Sequence, residues 1–149
     1  MKYTIRRIPE GEDELILQYR NVTPEVEHIL CFFNREQSKL IGWQDKTKIV
    51  IHFSDILYLE SVDGKTFACT NDAVLRVDYT LARLEQLLCG INFFRCSKSI
   101  ILNIDKIKCL RSLPSNRIDA TLISDEHILI SRTYASDFRK RLKGGAAFE

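Results

Sequence analysis

Short apolar runs separated by turn residues fill the chain from Thr47 to Ser131, and this pattern constrains the fold more than any other feature. Runs of this length between turn signals are typical of β-strands. The strongest signal is Val62-Asp63-Gly64-Lys65, because Asp-Gly between two apolar runs favours a tight hairpin. The predicted strands are Lys48–Phe53, Ile56–Ser61, Thr66–Thr70, Ala73–Val77, Ile100–Leu102, Lys108–Leu113, Ile118–Ser124 and His127–Ser131. We therefore predict a mainly β region with few helices.

Two helices are predicted within this region. The first covers Thr80–Leu88, where leucines recur at helical spacing, Asp78 or Thr80 can cap the start and Gly90 can end the helix. The second is the basic segment Arg132–Lys143. A recognition helix normally presents several donors, whereas the first helix carries Arg83 as its only base. Contacts with nucleic acid are therefore expected from loops and from the segment after the last strand.

The segment ahead of the strand-rich region has its own pattern. The predicted elements are strands at Lys2–Ile8 and Glu14–Arg20, a helix from Pro24 to about Gln37 with Thr23 as its N-cap, and a strand at Ser38–Trp43. The first two strands could form a hairpin. The helix has an apolar face of Val26, Ile29, Leu30 and Phe33. Packing of that face on the same chain and packing on a second copy both remain open.

Charge divides the chain near Gln44-Asp45-Lys46. Residues 1–45 carry six Lys and Arg against eight Asp and Glu, whereas Arg95–Lys143 carries eleven against five. We predict a strand-strand-helix extension at 1–45 that serves dimerisation or regulation, a second domain at 46–144 and a flexible tail at 145–149. The basic half is typical of a polyanion-binding module. Charge alone leaves a solvated mixed-charge surface equally open.

Several classes of function find no support in the sequence. The N-terminus has no apolar signal region, and the longest apolar runs are too short to span a bilayer, so we expect a cytoplasmic protein. The five cysteines contain no CxxC pair and the three histidines are scattered, so neither a disulfide framework nor a metal site is expected. Nucleotide-binding and hydrolase motifs are absent from the sequence. We expect no enzyme activity and no cofactor.

Basic residues instead recur beside predicted strand ends. Lys65 lies in the Asp-Gly turn, Arg95 and Lys98 flank a short loop, and Arg132 follows the last strand. Such side chains can bind phosphates by charge, and arginine can read guanine edges with two hydrogen bonds. Hydroxyl groups that can also donate to phosphate oxygens lie beside them, at Thr66, Ser97, Ser99, Ser131 and Thr133. Basic residues near turns also keep sheet edges soluble, so spacing alone does not decide the function.

The region from about Lys48 to Leu142 resembles the LytTR DNA-binding domain of bacterial transcription regulators. The order and spacing of the matching stretches carry the resemblance. These stretches are Ile56–Ser61, Leu81–Glu85, Phe93–Ser99, Leu102-Asn103, Ile107 and Ile130–Tyr134. The resemblance implies a mainly β fold, α+β overall, of antiparallel strands in small packed sheets. It also implies that inter-strand loops enter successive major grooves of double-stranded promoter DNA, often at paired repeats.

Three contact regions can be carried over from the family. They are Lys65 with Thr66, then Arg95, Ser97 and Lys98, and finally Ser131, Arg132 and Thr133. Many family members have histidine where this chain has Ser97, and arginine or asparagine where it has Lys98. An ammonium group is a compact point charge, so phosphate anchoring at Lys98 is at least as well supported as base reading.

The expected function is that of a sequence-specific, DNA-binding transcription regulator that contacts promoter DNA through these loops. The 45 residues ahead of the domain are too few for the receiver domain of response-regulator-like family members. The chain therefore resembles stand-alone LytTR regulators, and a homodimer on DNA and a small membrane protein partner are expected from that resemblance. The alternative is a non-catalytic protein-interaction or ligand-sensing module whose basic face meets an acidic partner.

Overall fold

A computed structural model describes residues 1–34, 39–88 and 91–143. Its strands are β1 (Lys39–Gln44), β2 (Thr47–His52), β3 (Ile56–Val62), β4 (Lys65–Thr70), β5 (Val74–Val77), β6 (Phe93–Arg95), β7 (Ile100–Asn103), β8 (Ile107–Leu113), β9 (Arg117–Leu122) and β10 (His127–Ile130). Its α-helices are α1 (Pro24–Asn34), α2 (Leu81–Leu87) and α3 (Arg132–Lys143).

The described strands form two antiparallel sheets. One has seven strands in the order β2-β1-β5-β4-β3-β7-β6, and the other has three in the order β10-β9-β8. Every described pairing is antiparallel. The predicted mainly β fold of antiparallel strands and few helices is therefore confirmed.

Local sequence explains the elements nearest the loops. Asp63 and Gly64 both have positive φ, at 51° and 76°, which gives the β3–β4 hairpin the tight turn that matches strand twist. Helix α2 begins where predicted, because the Thr80 hydroxyl accepts a hydrogen bond from the Arg83 amide at 3.2 Å. The predicted stop, Gly90, lies outside the described residues.

The seven-stranded sheet is covered on both faces near β3, β6 and β7. Successive residues of a strand point to opposite faces. Phe93 accordingly packs edge-to-face on Phe53 in the core beneath α2, while Phe94 packs edge-to-face on Phe138 of α3. The second core also includes the inner face of the three-stranded sheet. These two cores fix α2 and α3 on opposite sides of β6 and β7.

The predicted N-terminal hairpin is wrong. Residues 1–23 contain neither strand nor helix, and Tyr3 and Ile5 are 82% and 90% exposed. Alternating apolar residues form a stable strand only when a sheet or helix covers them, and a two-stranded hairpin alone is marginal in water. Nothing in the described fold covers Tyr3 and Ile5, so the pattern has no partner to stabilise it.

The predicted helix and the strand that follows it are both present in the structure. Helix α1 begins at Pro24, and the Val26 amide donates to the Thr23 hydroxyl at 3.3 Å, as expected for an N-cap. Its predicted end at Gln37 lies outside the described residues. Strand β1 is present and pairs with both β2 and β5. The proposed boundary at Gln44-Asp45-Lys46 thus falls in the turn between two paired strands of the same sheet.

Strand β6 and helix α3 are the remaining elements near the C-terminal half of the large sheet and beyond it. Phe93–Arg95 forms a short edge strand that the sequence pattern did not identify as one. Helix α3 covers the predicted segment, and the tail beyond Lys143 lies outside the described residues. None of the described helices combines the length and apolar character needed to cross a membrane.

Candidate nucleic-acid interface

The first predicted contact region lies on the β3–β4 hairpin. Lys65 pairs with Val62 across the turn and is exposed. Within the described parts of the chain, its ammonium group has no hydrogen bond or ion pair. Thr66 is only 6% exposed and pairs with Ser61 and Val77 in the sheet interior. The hairpin therefore presents the exposed ammonium group of Lys65, whereas the side chain of Thr66 is buried in the protein.

The second region is the loop Cys96–Ser99 between β6 and β7. The amides of Cys96 and Ser97 both donate to the Ile100 carbonyl, at 3.0 and 3.4 Å. The Ser97 hydroxyl accepts from the Ser99 amide at 3.2 Å. These bonds close the loop tightly on itself. Lys98 is exposed at its tip, and its ammonium group has no partner among the described residues.

Arg95 is occupied within the protein. Its Nε donates to the Ser97 carbonyl at 2.8 Å, one terminal nitrogen donates to the Lys98 carbonyl, and the other lies 3.1 Å from a carboxylate oxygen of Glu85. The side chain is 19% exposed. Arg95 lies in the predicted second region. Its three bonds within the protein hold the loop backbone, so its donors do not face outward. No feature of the linear sequence pointed to Glu85 as its partner.

Cys96 is a structural residue of the same loop. It is fully buried, and its thiol lies 3.6 Å from the Ile100 carbonyl oxygen. Burial raises the pKa of Cys96 to about 12, because the charged thiolate would lose its hydration. A thiol that stays protonated is a poor nucleophile, so the neighbouring bases do not activate it.

The third region begins at the end of β10 and forms the start of α3. The Ser131 carbonyl accepts hydrogen bonds from the amides of Tyr134 and Ala135, both at 3.0 Å, which opens the helix. Arg132 and Thr133 follow in the first turn and are exposed. The Arg132 guanidinium makes no hydrogen bond or ion pair with any described residue, so its donors are available to a ligand.

Two backbone hydrogen bonds join the three regions. The Ser131 amide donates to the Cys96 carbonyl at 2.9 Å, and the Ser61 amide donates to the Ser99 carbonyl at 2.8 Å. Ser61 lies next to the hairpin that carries Lys65. The structure thus brings together, at one end of the large sheet, three regions that are about 30 residues apart in the sequence.

The charge at this end is positive but not uniform. Lys65, Lys98 and Arg132 are the cations of the three regions that pair with none of the described residues, while Asp63 adds one exposed acid in the hairpin turn. Nearby, Arg76 lies 3.7 Å from Asp78, so this pair is neutral overall. In the part of the chain that the structure describes, no group of three or more His, Cys, Asp and Glu could hold a metal ion. The three exposed cations are suited to binding a polyanion.

Two antiparallel sheets that bring three exposed cations to one end are suited to binding a polyanion such as DNA. The model of the LytTr DNA-binding domain family matches residues 46–143, about two-thirds of the chain. The chain belongs to the LytTR family. Its fold is similar to that of a solved LytTr DNA-binding domain from Bacillus cereus, with a TM-score of 0.67 and 30% identity over 69% of this chain and 94% of that one.

Curated relatives agree with this assignment. The sensory transduction protein LytT of Bacillus subtilis is 24% identical over 133 residues, which cover 89% of this chain and 55% of LytT. LytT of Bacillus cereus is 28% identical over 108 residues, or 72% of this chain and 44% of that protein. The chain thus spans about half the length of these LytT proteins.

A relative of more similar length is an uncharacterized HTH-type transcriptional regulator of Staphylococcus aureus. It is 30% identical over 103 residues, which cover 69% of either protein. In the present chain, strands separate each described α-helix from the next, so no two of them form a helix-turn-helix. Of the three exposed cations, Lys65 lies at the β3–β4 hairpin, Lys98 in the β6–β7 loop and Arg132 at the start of α3.

Proposed function

We propose that this protein is a sequence-specific transcription regulator that binds double-stranded promoter DNA through the three joined regions. The observation that carries the proposal is the pair of backbone hydrogen bonds from Ser131 to Cys96 and from Ser61 to Ser99. They hold Lys65, Lys98 and Arg132 on one end of the sheet. These backbone bonds fix the relative positions of the chain segments that carry the three cations, which recognition of an ordered array of phosphates and bases requires.

The proposed roles follow from the chemistry of each side chain. Arg132 is the base reader, because a free guanidinium can bind guanine with two hydrogen bonds in the major groove. Lys65 and Lys98 bind phosphates as point charges. Hydroxyl groups that supplement the phosphate contacts belong to Ser97, Ser131 and Thr133. The two less accessible members of the site, Thr66 and Arg95, support the hairpin and the loop from beneath.

Two parts of the proposal rest on the family resemblance alone. They are a homodimer bound to paired DNA repeats and a small membrane protein as partner. A cytoplasmic location is proposed as well, because promoter DNA is the proposed ligand. LytT and the staphylococcal relative are named for sensory transduction and transcriptional regulation. That agreement supports regulation as the role of DNA binding here. A separate enzymatic function finds no support in the arrangement of the site.

The test is binding to DNA upstream of the protein's own gene, measured by fluorescence anisotropy as the salt concentration increases. We expect preference for one fragment over unrelated DNA of equal length. We also expect a slope of log affinity against log salt of about −2 or steeper, since each phosphate contact contributes about −0.9. Absence of binding to any such fragment at low salt contradicts the proposal. Equal affinity for an acidic polypeptide and for all DNA sequences would favour the protein-interaction alternative.

A further inference from the structure

The pair Glu85–Arg95 connects helix α2 to the loop that carries Lys98. Arg95 ends β6, and Glu85 projects from α2, which bears none of the proposed contact residues. Their charged atoms are 3.1 Å apart, with the side chains 19% exposed for Arg95 and 54% exposed for Glu85. The ion pair is therefore partly exposed to solvent, and it lies next to the loop.

The same guanidinium determines where the loop backbone points. It donates to the carbonyls of Ser97 and Lys98 while Glu85 holds its third donor. A guanidinium has five donors in a rigid plane, so it can hold three acceptors at once, and an ammonium group on a flexible stem cannot reproduce that geometry. Because both carbonyls turn toward Arg95, the exposed tip of the loop is left to the side chain of Lys98.

We propose that Glu85 and Arg95 act together as a positioning pair that fixes the loop Cys96–Ser99 for sequence discrimination. The proposal rests on the function proposed above. It assigns a role to an acidic residue on a helix outside the interface. Glu85 orients Arg95, and Arg95 orients the two loop carbonyls. The loop in turn holds the base reader Arg132 in place, because the Cys96 carbonyl accepts the hydrogen bond of the Ser131 amide.

The positioning role and simple electrostatics predict different effects of losing Glu85 on DNA binding. Removing an acid from a protein that binds a polyanion increases its attraction to any DNA sequence. Loss of the positioning pair instead lowers the preference for the specific site, because a mobile loop no longer holds Arg132 in one position against the bases. Exposed ion pairs contribute little to folding stability, so the fold itself should change little.

The first experiment compares Glu85→Gln with Asp72→Asn by fluorescence anisotropy, on the preferred promoter fragment and on unrelated DNA. Asp72 is an exposed acid in the turn after β4, at the strand end opposite Lys65, and its carboxylate has no bonding partner among the described residues. Both changes remove one negative charge. We expect Glu85→Gln to lower the ratio of specific to non-specific affinity by about two- to five-fold, the range of a partly exposed ion pair. Asp72→Asn should leave that ratio unchanged.

A second variant tests the geometry of the guanidinium. Arg95→Lys keeps the charge but loses the three-way donor arrangement, so we expect a loss of discrimination at least as large as in Glu85→Gln. The double variant Glu85→Gln/Arg95→Lys should be no worse than Arg95→Lys, because the two residues act as a unit. Additive losses would mean that Glu85 and Arg95 act independently, which overturns the proposal.

The third measurement uses the full chain without DNA. Amide hydrogen exchange of residues 96–100 should be faster in Glu85→Gln than in the wild-type protein and in Asp72→Asn, with equal melting temperatures. Unchanged exchange overturns the positioning role even where DNA binding is normal. If the wild-type protein prefers no DNA sequence while exchange still accelerates, the proposed function has failed, and with it the role in discrimination, although the pair does hold the loop.

Discussion

The amide of Ser131 donates a hydrogen bond to the carbonyl oxygen of Cys96 at 2.9 Å, which ties the start of α3 to the loop between β6 and β7. Cys96 is fully buried, so this bond is anchored in the second core rather than at the surface. Arg132 is the next residue after Ser131, and Lys98 lies two residues beyond Cys96. The guanidinium and the ammonium group are therefore attached to one rigid junction.

Replacing Arg132 by alanine should weaken binding to the preferred DNA by about 1–3 kcal/mol, because a bidentate contact with a base is lost. Discrimination should also relax at one position of the site. Fluorescence anisotropy with a set of single base-pair variants measures both effects. Arg111→Ala is the matched control, since Arg111 is an exposed arginine on β8 of the three-stranded sheet. An equal loss on every DNA sequence would assign Arg132 to phosphate binding instead.

Replacing Lys98 by glutamine should weaken binding to specific and unrelated DNA alike. A phosphate contact contributes about one unit to the dependence of log affinity on log salt, so the slope should become shallower by about 1. Affinity measured between low and moderate salt gives this slope directly. Lys108→Gln removes an exposed lysine on β8 of the three-stranded sheet, where it pairs with Asp125, and should leave the slope nearly unchanged. A change in base preference with an unchanged slope would make Lys98 a base reader.

Local chemistry was readable from the sequence, and long-range geometry was not. The Asp63-Gly64 turn and the Thr80 cap depend on neighbouring residues, and both are present as predicted. The N-terminal strands failed because their stability depends on a covering partner that the sequence does not specify. The three-residue strand at Phe93 is too short to produce a periodic signal.

The candidate site shows the same division. Family resemblance located the three regions, but accessibility within them depends on details of packing. Thr66 is buried while Lys65 next to it is exposed, since side chains alternate along a strand. Glu85 and Arg95 are ten residues apart, on a helix and on a strand, so only the packing of α2 beside β6 brings them together. The hydrogen bond from Ser131 to Cys96 likewise depends on packing.

Replacing Asn103 by alanine should lower the free energy of unfolding by about 1–3 kcal/mol, because a buried acceptor loses its partner. The Asn103 amide donates to the Ile56 carbonyl at 2.8 Å, and its oxygen accepts from the Asp105 amide at 3.1 Å. Urea denaturation measures the loss. Asn92→Ala removes an exposed amide bonded to the Asp105 carboxylate and should change stability by less than about 0.5 kcal/mol. Equal losses in the two variants would show that the buried bonds of Asn103 stabilise the fold no more than the exposed bond of Asn92.

Replacing Gly42 by alanine should destabilise the large sheet by about 1–3 kcal/mol through overpacking. A Cβ atom at Gly42 would lie 2.6 Å from Cδ1 of Ile51 and 3.1 Å from Cβ of Leu75. The double variant Gly42→Ala/Ile51→Val removes the nearest clashing atom. It should therefore lose less stability than the sum of the two single variants, as measured by urea denaturation. Strict additivity would mean that the sheet relaxes around the new methyl group without meeting Ile51.

The Cys96 thiol should make the protein less stable at alkaline pH. Burial raises its pKa from the ordinary value of 9.0 to about 12, so the folded state keeps a proton that the unfolded state releases above pH 9. Stability is then fully retained below pH 9 and falls as the pH rises toward 12. From pH 8 to pH 10 this single group should cost about 1.4 kcal/mol. Urea denaturation at both pH values should show a loss of unfolding free energy that is smaller in Cys96→Ala by that amount, since alanine has no proton to release. An equal loss in both proteins would mean that the Cys96 thiol ionises as readily when folded as when unfolded.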